Sequence, residues 1–182
     1  VTYNKLQNDL YNDIKREFND SLVSWNAEIV KGSVIFLSPD VLFNVGSDVV
    51  NKRFQDILAN FFPRYLRILA HEKYRNDIEE IRIEGHTSSE WSYDADEMQA
   101  YFLNMELSQA RTRAVLKFVL NLPSVYASKK RPWVQEHLTA NGLSSSKPLM
   151  EEGRENKKKS RRVEFKVRTN AESKLVQILE NN

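Results

Sequence analysis

Apolar residues recur at steps of four from the start of the chain. Leu6, Leu10, Ile14 and Phe18, with Tyr11 and Leu22 alongside, predict an amphipathic helix from Tyr3 to about Trp25. Ser33 to Leu37 (SVIFL) is a short β-rich run that predicts a buried strand, ended by the turn-forming Ser38-Pro39-Asp40. Beyond Gly46, Ser47 is placed to cap a long helix whose apolar positions are Val50, Phe54, Ile57, Leu58, Phe61, Tyr65, Ile68 and Leu69. Pro63 interrupts that pattern, and since an interior proline costs about 3 kcal/mol, a kink or break is expected near Ala59 to Phe62. Glu80 to Gly85 alternates Ile81 and Ile83 with charged residues, a half-buried strand that delivers His86 and Thr87 to a polar loop.

Asn104 or Ser108 is expected to open the next helix, with Leu107, Ala110, Ala114, Val115, Phe118 and Leu122 as its buried stripe and Pro123 closing it. Pro123 to Pro132 reads as an insertion, and Leu138 to Ala140 as a short strand. In Arg161 to Arg168, Val163, Phe165 and Val167 alternate with charge, which predicts a final strand, and a short helix follows over Ala171 to Leu179. The order β-α-β-α-β-β implies an α+β fold, a mixed sheet with helices packed on one face. Residues 1–30 are read as an N-terminal helix, 31–170 as the main domain and 171–182 as a C-terminal helix. The N-terminal stripe suits either a cover for its own domain or a connector and dimer contact below a membrane anchor.

Composition narrows the functional classes. With 182 residues and 41% hydrophobic content, one core is expected. The 27 basic and 25 acidic side chains nearly cancel to a formal +2, so no global field marks a nucleic-acid binder. There is no cysteine, which excludes disulfides, thiolate metal sites and cysteine nucleophiles. No apolar run approaches the roughly 20 residues that cross a bilayer. The opening VTYNKLQNDL has neither a signal-peptide core nor an initiator Met, so any membrane anchor is expected upstream of Val1.

Arg111 departs from an ordinary helix pattern. The steps Leu107, Arg111, Ala114 and Val115 put its guanidinium on the apolar stripe, where a charge needs a partner. A planar fork of donors suits a bidentate grip on a carboxylate; an internal ion pair, or a side chain snorkelling past the core, satisfies the periodicity equally well.

Several segments together resemble the outer membrane protein A-like (OmpA-like) domains. These are Gly85-His86-Thr87 after a strand, Asn104-x-x-Leu107-Ser108-x-x-Arg111 on a helix, and Arg161-Arg162-Val163-Glu164-Phe165 as a last strand. Val41-Leu42-Phe43 before Gly46-Ser47, and Gly142 through Pro148, extend the likeness over about Ser33 to Arg168. The family includes the peptidoglycan-associated lipoprotein and the wall-anchoring part of flagellar stator B subunits (MotB). The resemblance implies non-covalent binding of the peptidoglycan stem peptide at its diaminopimelate residue, in the periplasm or cell envelope, with no cofactor. Arg111 matches the arginine that meets a ligand carboxylate, Asn104 and Leu107 match groove positions, and Thr87 lies in the groove loop. Arg161 and Arg162 match a paired arginine motif that serves ligand or local ion pairs.

The pattern is broken where the family has an aspartate after Gly-His-Thr to take the ligand ammonium, for this chain has Ser88. Glu90, or else Asp94 or Asp96, is the expected replacement. Trp91 and Ser160 also depart, from glycine and asparagine; Trp91 could stack on ligand or fold onto its own surface. A nucleic-acid reading would rest on Lys157, Lys158, Lys159, Arg161 and Arg162 with Lys129 to Arg131, but the acidic residues between Glu79 and Glu97 oppose a uniformly basic face. For an enzyme, His71, His86 and His137 show no metal-ligand spacing and the five glycines form no phosphate loop. The sequence therefore predicts a non-catalytic wall anchor, in a stator subunit, a lipoprotein tether or an outer-membrane protein.

Overall fold

A computed structural model describes residues 2–37 and 39–181. Helix α1 (Thr2–Phe18) buries Leu10, Ile14 and Phe18 in the main core. The helical stretch predicted to reach Trp25 is broken at a turn, and α2 (Leu22–Trp25) is a separate short helix ended by Asn26 in the left-handed conformation, φ 49°. That reversal leads into β1 (Ala27–Val30), an edge strand that the pattern did not predict, paired antiparallel with the expected β2 (Ser33–Leu37). Ser38, predicted as part of the turn after β2, lies outside the described residues. Helix α3 (Pro39–Leu42) follows.

Helix α4 (Lys52–Leu69) begins later than predicted. Its cap is Asn51, whose side chain accepts from the Phe54 N–H at 3.0 Å. Ser47 instead closes its own small turn, its hydroxyl accepting from the Val49 N–H at 3.1 Å. The helix runs unbroken through Pro63. Its inward face, including Phe54, Leu58, Phe61, Phe62, Tyr65 and Leu69, is buried, and at about 2 kcal/mol per large side chain that burial outweighs the proline's cost of about 3 kcal/mol.

Strand β3 (Ile78–His86) extends through His86, so the loop begins at Thr87. Helix α5 (Glu97–Leu120) starts ahead of both predicted openings, on a capping box between Asp96 and Gln99. The insertion is helical, as α6 (Pro123–Tyr126) and α7 (Arg131–His137). Strand β4 (Leu138–Gly142) lies parallel to β3. A small hairpin of β5 (Met150–Glu151) and β6 (Arg154–Glu155), then helix α8 (Lys157–Ser160), lead into β7 (Arg162–Thr169) and α9 (Ala171–Glu180).

The main sheet runs β1-β2-β7-β3-β4, a mixed α+β arrangement in which only β3 and β4 are parallel. On one face Phe36, Val163, Phe165, Ile81 and Ile83 are buried in the hydrophobic core with α4 and α1. Phe165 sits among the rings of Phe36, Phe61, Phe62 and Tyr65.

The buried face of α5 is Ala100, Asn104, Ser108, Thr112, Val115 and Val119, rotated from the predicted stripe and largely polar in its first half. Two glycines explain this. A Cβ on Gly85 would come within 2.8 Å of Thr112 Cγ2 and 3.0 Å of the Ser108 carbonyl oxygen, and one on Gly142 would overlap the Gln109 backbone. The helix therefore lies directly on β3 and β4, where small polar side chains fit and leucine does not. Leu107 and Arg111 are turned to the rim, half-buried.

Candidate ligand-binding cleft

The rotation of α5 opens a cleft of about 400 Å³ between three segments. One wall is the turn at Val45 and Gly46, another is Thr87, Ser88, Glu90, Trp91 and Ser92 after β3, and the third is Asn104, Leu107 and Arg111 on α5, with Arg161 closing one side. Thus Arg111, Asn104, Leu107, Thr87, Ser88, Glu90 and Arg161 come together from far apart in the chain, and Arg162 does not line the cleft.

Arg111 is held by backbone groups. Its Nε donates to the Ser47 carbonyl at 2.8 Å and an Nη to the Asn44 carbonyl at 3.3 Å, and the guanidinium lies 4.8 Å from the centre of the buried Phe43 ring. Gly46 makes the turn possible with φ 69°, a conformation that disfavours side chains. The turn carbonyls and the ring together orient the plane of the guanidinium beside the open cleft.

Buried Asn104 shapes the loop. Its amide donates to the carbonyls of Ser88 at 3.2 Å and Glu90 at 2.9 Å. Thr87 and Ser88 are buried in the floor, and the Thr87 hydroxyl makes no hydrogen bond among the described residues. Arg161 reaches the Ser88 hydroxyl at 3.5 Å and a Glu90 oxygen at 3.8 Å. Glu90 also takes Lys157 at 2.6 Å; that hydrogen bond outweighs its slight desolvation and, with Arg161, holds the carboxyl below the ordinary carboxylate range. Asp96 is committed to the helix cap, accepting from the Gln99 N–H at 2.8 Å. Asp94 does not line the cleft.

Buried Arg162 instead serves the opposite sheet face, bound to Glu164 at 2.6 Å and to the carbonyls of Ser160 and Lys147 at 3.0 and 3.2 Å. Nearby, Arg82 holds Glu84 at 2.8 Å, and His86 Nε2 lies 3.2 Å from the other Glu84 oxygen. Glu84, His86 and Glu164 bring potential ligand atoms within 4.8 Å of one another. Each carboxylate already has an arginine from its own strand, so the cluster is charge-balanced as a structural network beneath the loop.

The basic run is not a uniform cationic face. Lys157 pairs with Glu90 and Lys159 with Glu151 at 2.7 Å. The β5–β6 hairpin also ties down the loop, Glu155 accepting from the Ser89 N–H at 3.0 Å. This strap, the Asn44 to Ser47 turn and Ser144 were not predicted as parts of the site. Buried Ser144 donates its N–H to the Ser108 hydroxyl oxygen at 3.1 Å and its own hydroxyl to the Tyr101 carbonyl at 2.7 Å, locking α5 to the loop after β4. The only local signal for the turn was Gly46.

The sheet order and the helices packed on it give this chain the fold of solved MotB-like domains. A MotB-like protein from Desulfovibrio vulgaris superposes with a TM-score of 0.64 at 24% identity, over 93% of this chain and 99% of that one. The cell wall anchor of the T6SS from Pseudomonas aeruginosa gives 0.54 at 21% identity, over 84% and 94%. The periplasmic domain of Helicobacter pylori MotB gives 0.51 at 22%, over 82% and 84%. No protein-family model matches the chain. In sequence, it is 44% identical over 183 aligned residues to the Zorya protein ZorB of Escherichia coli, covering 99% of this chain and 76% of that protein. The chain belongs to the ZorB family.

Proposed function

We propose that this domain binds peptidoglycan without acting on it chemically, and so anchors a stator-type membrane complex to the cell wall in the periplasm. The observation that carries the reading is Arg111, fixed by the Ser47 carbonyl at 2.8 Å at the wall of an open 400 Å³ cleft. The guanidinium pairs with a carboxylate of the stem-peptide diaminopimelate. Leu107 supplies an apolar wall for the ligand's methylene chain, and the buried Thr87 hydroxyl supplies a hydrogen-bonding group at the floor. Glu90 takes the place of the missing aspartate, receiving the ligand ammonium in exchange for Lys157. The solved MotB-like and wall-anchor domains of the same fold support the stator assignment, as does membership of the ZorB family. Among the described residues no helix is long and apolar enough to cross a membrane, so the reading assigns the membrane anchor to another part of the parent protein, which is free to assemble as a homodimer.

Co-sedimentation with purified sacculi tests this. The wild-type domain is expected to pellet with the sacculi at moderate salt, and Arg111→Ala to stay in the supernatant with an unchanged circular dichroism spectrum. Equal pelleting of both proteins, or no pelleting of folded wild type, would reject the reading.

A further inference from the structure

The loop between β3 and α5 contains more than the peptide cleft uses. Beyond Trp91 it encloses a second hollow of about 480 Å³, walled by Glu90, Trp91, Ser92, Tyr93, Asp96 and Glu97 among others. Glu90, Trp91 and Ser92 line both hollows, so the two are joined along one edge. Trp91 is 40% exposed and Tyr93 fully exposed. Both rings stand on a loop beside the binding cleft, so their faces are available for contact with a ligand.

The loop holding these rings is fixed at several points. Asn104 grips the Glu90 carbonyl at 2.9 Å, Lys157 holds the Glu90 carboxylate at 2.6 Å, and Asp96 is locked into the capping box of α5. The rings are therefore presented at little ordering cost. Carboxylates at Glu90, Asp96 and Glu97 repel phosphate-bearing ligands. Aromatic faces flanked by carboxylates and hydroxyls suit a neutral sugar, whose C–H face lies on a ring while its hydroxyls donate to the acids at the edge.

We propose that this second hollow is a glycan subsite, in which Tyr93 and Trp91 stack on the amino-sugar strand to which the stem peptide is attached. The inference rests on the peptide-binding reading above and extends it to the substrate class of the adjoining surface. The connectivity of the ligand agrees: one alanine and one γ-linked glutamate separate the muramic acid from diaminopimelate, a span of roughly 10 Å when extended, because the γ-linkage adds two carbons to the ordinary residue length. A peptide held at Arg111 thus keeps its sugar close to the same loop.

Isothermal titration calorimetry with two ligands decides the matter. One is the free tripeptide L-alanyl-γ-D-glutamyl-meso-diaminopimelate, and the other is the same peptide carried on its N-acetylglucosaminyl-N-acetylmuramic acid disaccharide. The wild-type domain is expected to hold the glycopeptide roughly 3- to 10-fold more tightly than the free peptide. Tyr93→Ala should remove most of that difference without changing the free-peptide affinity, and Tyr93→Phe should keep it. Trp91→Ala, at the junction, should weaken both ligands and the glycopeptide more. Equal wild-type affinities, a difference that survives Tyr93→Ala, or an equal loss of both ligands in Tyr93→Ala would overturn the glycan subsite alone. A change in oligomeric state caused by Tyr93→Ala, read by light scattering, would overturn it in favour of a protein contact. Failure of both ligands to bind wild type would remove the peptide reading as well.

Discussion

The side-chain amide of Asn104 donates to the backbone carbonyl of Glu90 at 2.9 Å, joining the second turn of α5 to the loop that walls the cleft. The same nitrogen reaches the Ser88 carbonyl at 3.2 Å. One buried amide therefore sets the position of the residue proposed to receive the ligand ammonium. Asn104→Ala leaves these carbonyls without their donor and is expected to cost about 1–3 kcal/mol in urea unfolding. Asn104→Asp, which offers no donor when ionised, should do no better. Both variants should also weaken sacculus binding; full binding by either would show that the loop holds its shape without the clamp.

Lys157 and Glu90 form an exposed pair at 2.6 Å, with about half of each side chain open to solvent. Such a pair adds under about 1 kcal/mol to stability, so Lys157→Ala should barely move the unfolding midpoint. Its effect should fall on the ligand, since the competing ammonium is gone: stem-peptide affinity rises, whereas in Glu90→Gln it falls. The hydrogen bond from Lys157 holds the Glu90 carboxyl below its ordinary value. Glu90 thus stays ionised to lower pH than an ordinary carboxylate, and Lys157→Ala should move the acid loss of binding to higher pH. Calorimetric titration across mildly acid pH checks both effects; an unchanged affinity and pH profile in Lys157→Ala would show that Glu90 does not meet the ligand.

Burial pushes the Glu84 carboxyl up, but hydrogen bonds with His86 and Arg82 outweigh it and bring it to about 2. A depressed folded-state value means that the stabilisation is fully present above the unfolded value near 4.5 and is lost as pH falls towards about 2. The shift corresponds to a few kcal/mol, about 3 as an order of magnitude. Wild-type stability should therefore drop through this window, and Glu84→Gln, already less stable at neutral pH, should show a shallower decline. Parallel acid profiles for the two proteins would assign the acid sensitivity to other carboxylates.

Much of the fold was legible because each main element carries its own periodicity. The alternation of Val163, Phe165 and Val167 defines β7, and the stripe from Leu6 to Phe18 defines α1. The errors fall where local pattern and tertiary context diverge. Pro63 signals a break, yet the aromatic face around it keeps α4 continuous. Ser47 is a good cap in isolation, but Asn51 makes the bond and Ser47 gives its carbonyl to Arg111. The buried face of α5 was misplaced because Gly85 and Gly142 admit the helix so closely that Ser108 and Thr112 fill the interface. Glycines reveal their use only when the opposing backbone is known.

From residue types and spacing came the α+β class and the unusual place of Arg111 on an apolar stripe, while the expectation that Arg111 meets a carboxylate came from the motifs' resemblance to wall-binding domains. The first two are properties of neighbouring positions in the chain, carried by steps of two and of about 3.6 residues. Which of the paired arginines faces the cleft was a matter for three dimensions: strand alternation sends Arg162 to Glu164 on the far face, while Arg161, just ahead of β7, turns towards Ser88 and Glu90. The partner of Glu90, the carbonyls that aim Arg111 and the joining of two hollows at Trp91 likewise depend on segments many residues apart. Close packing of the folded chain sets such contacts, and no local rule of composition contains them.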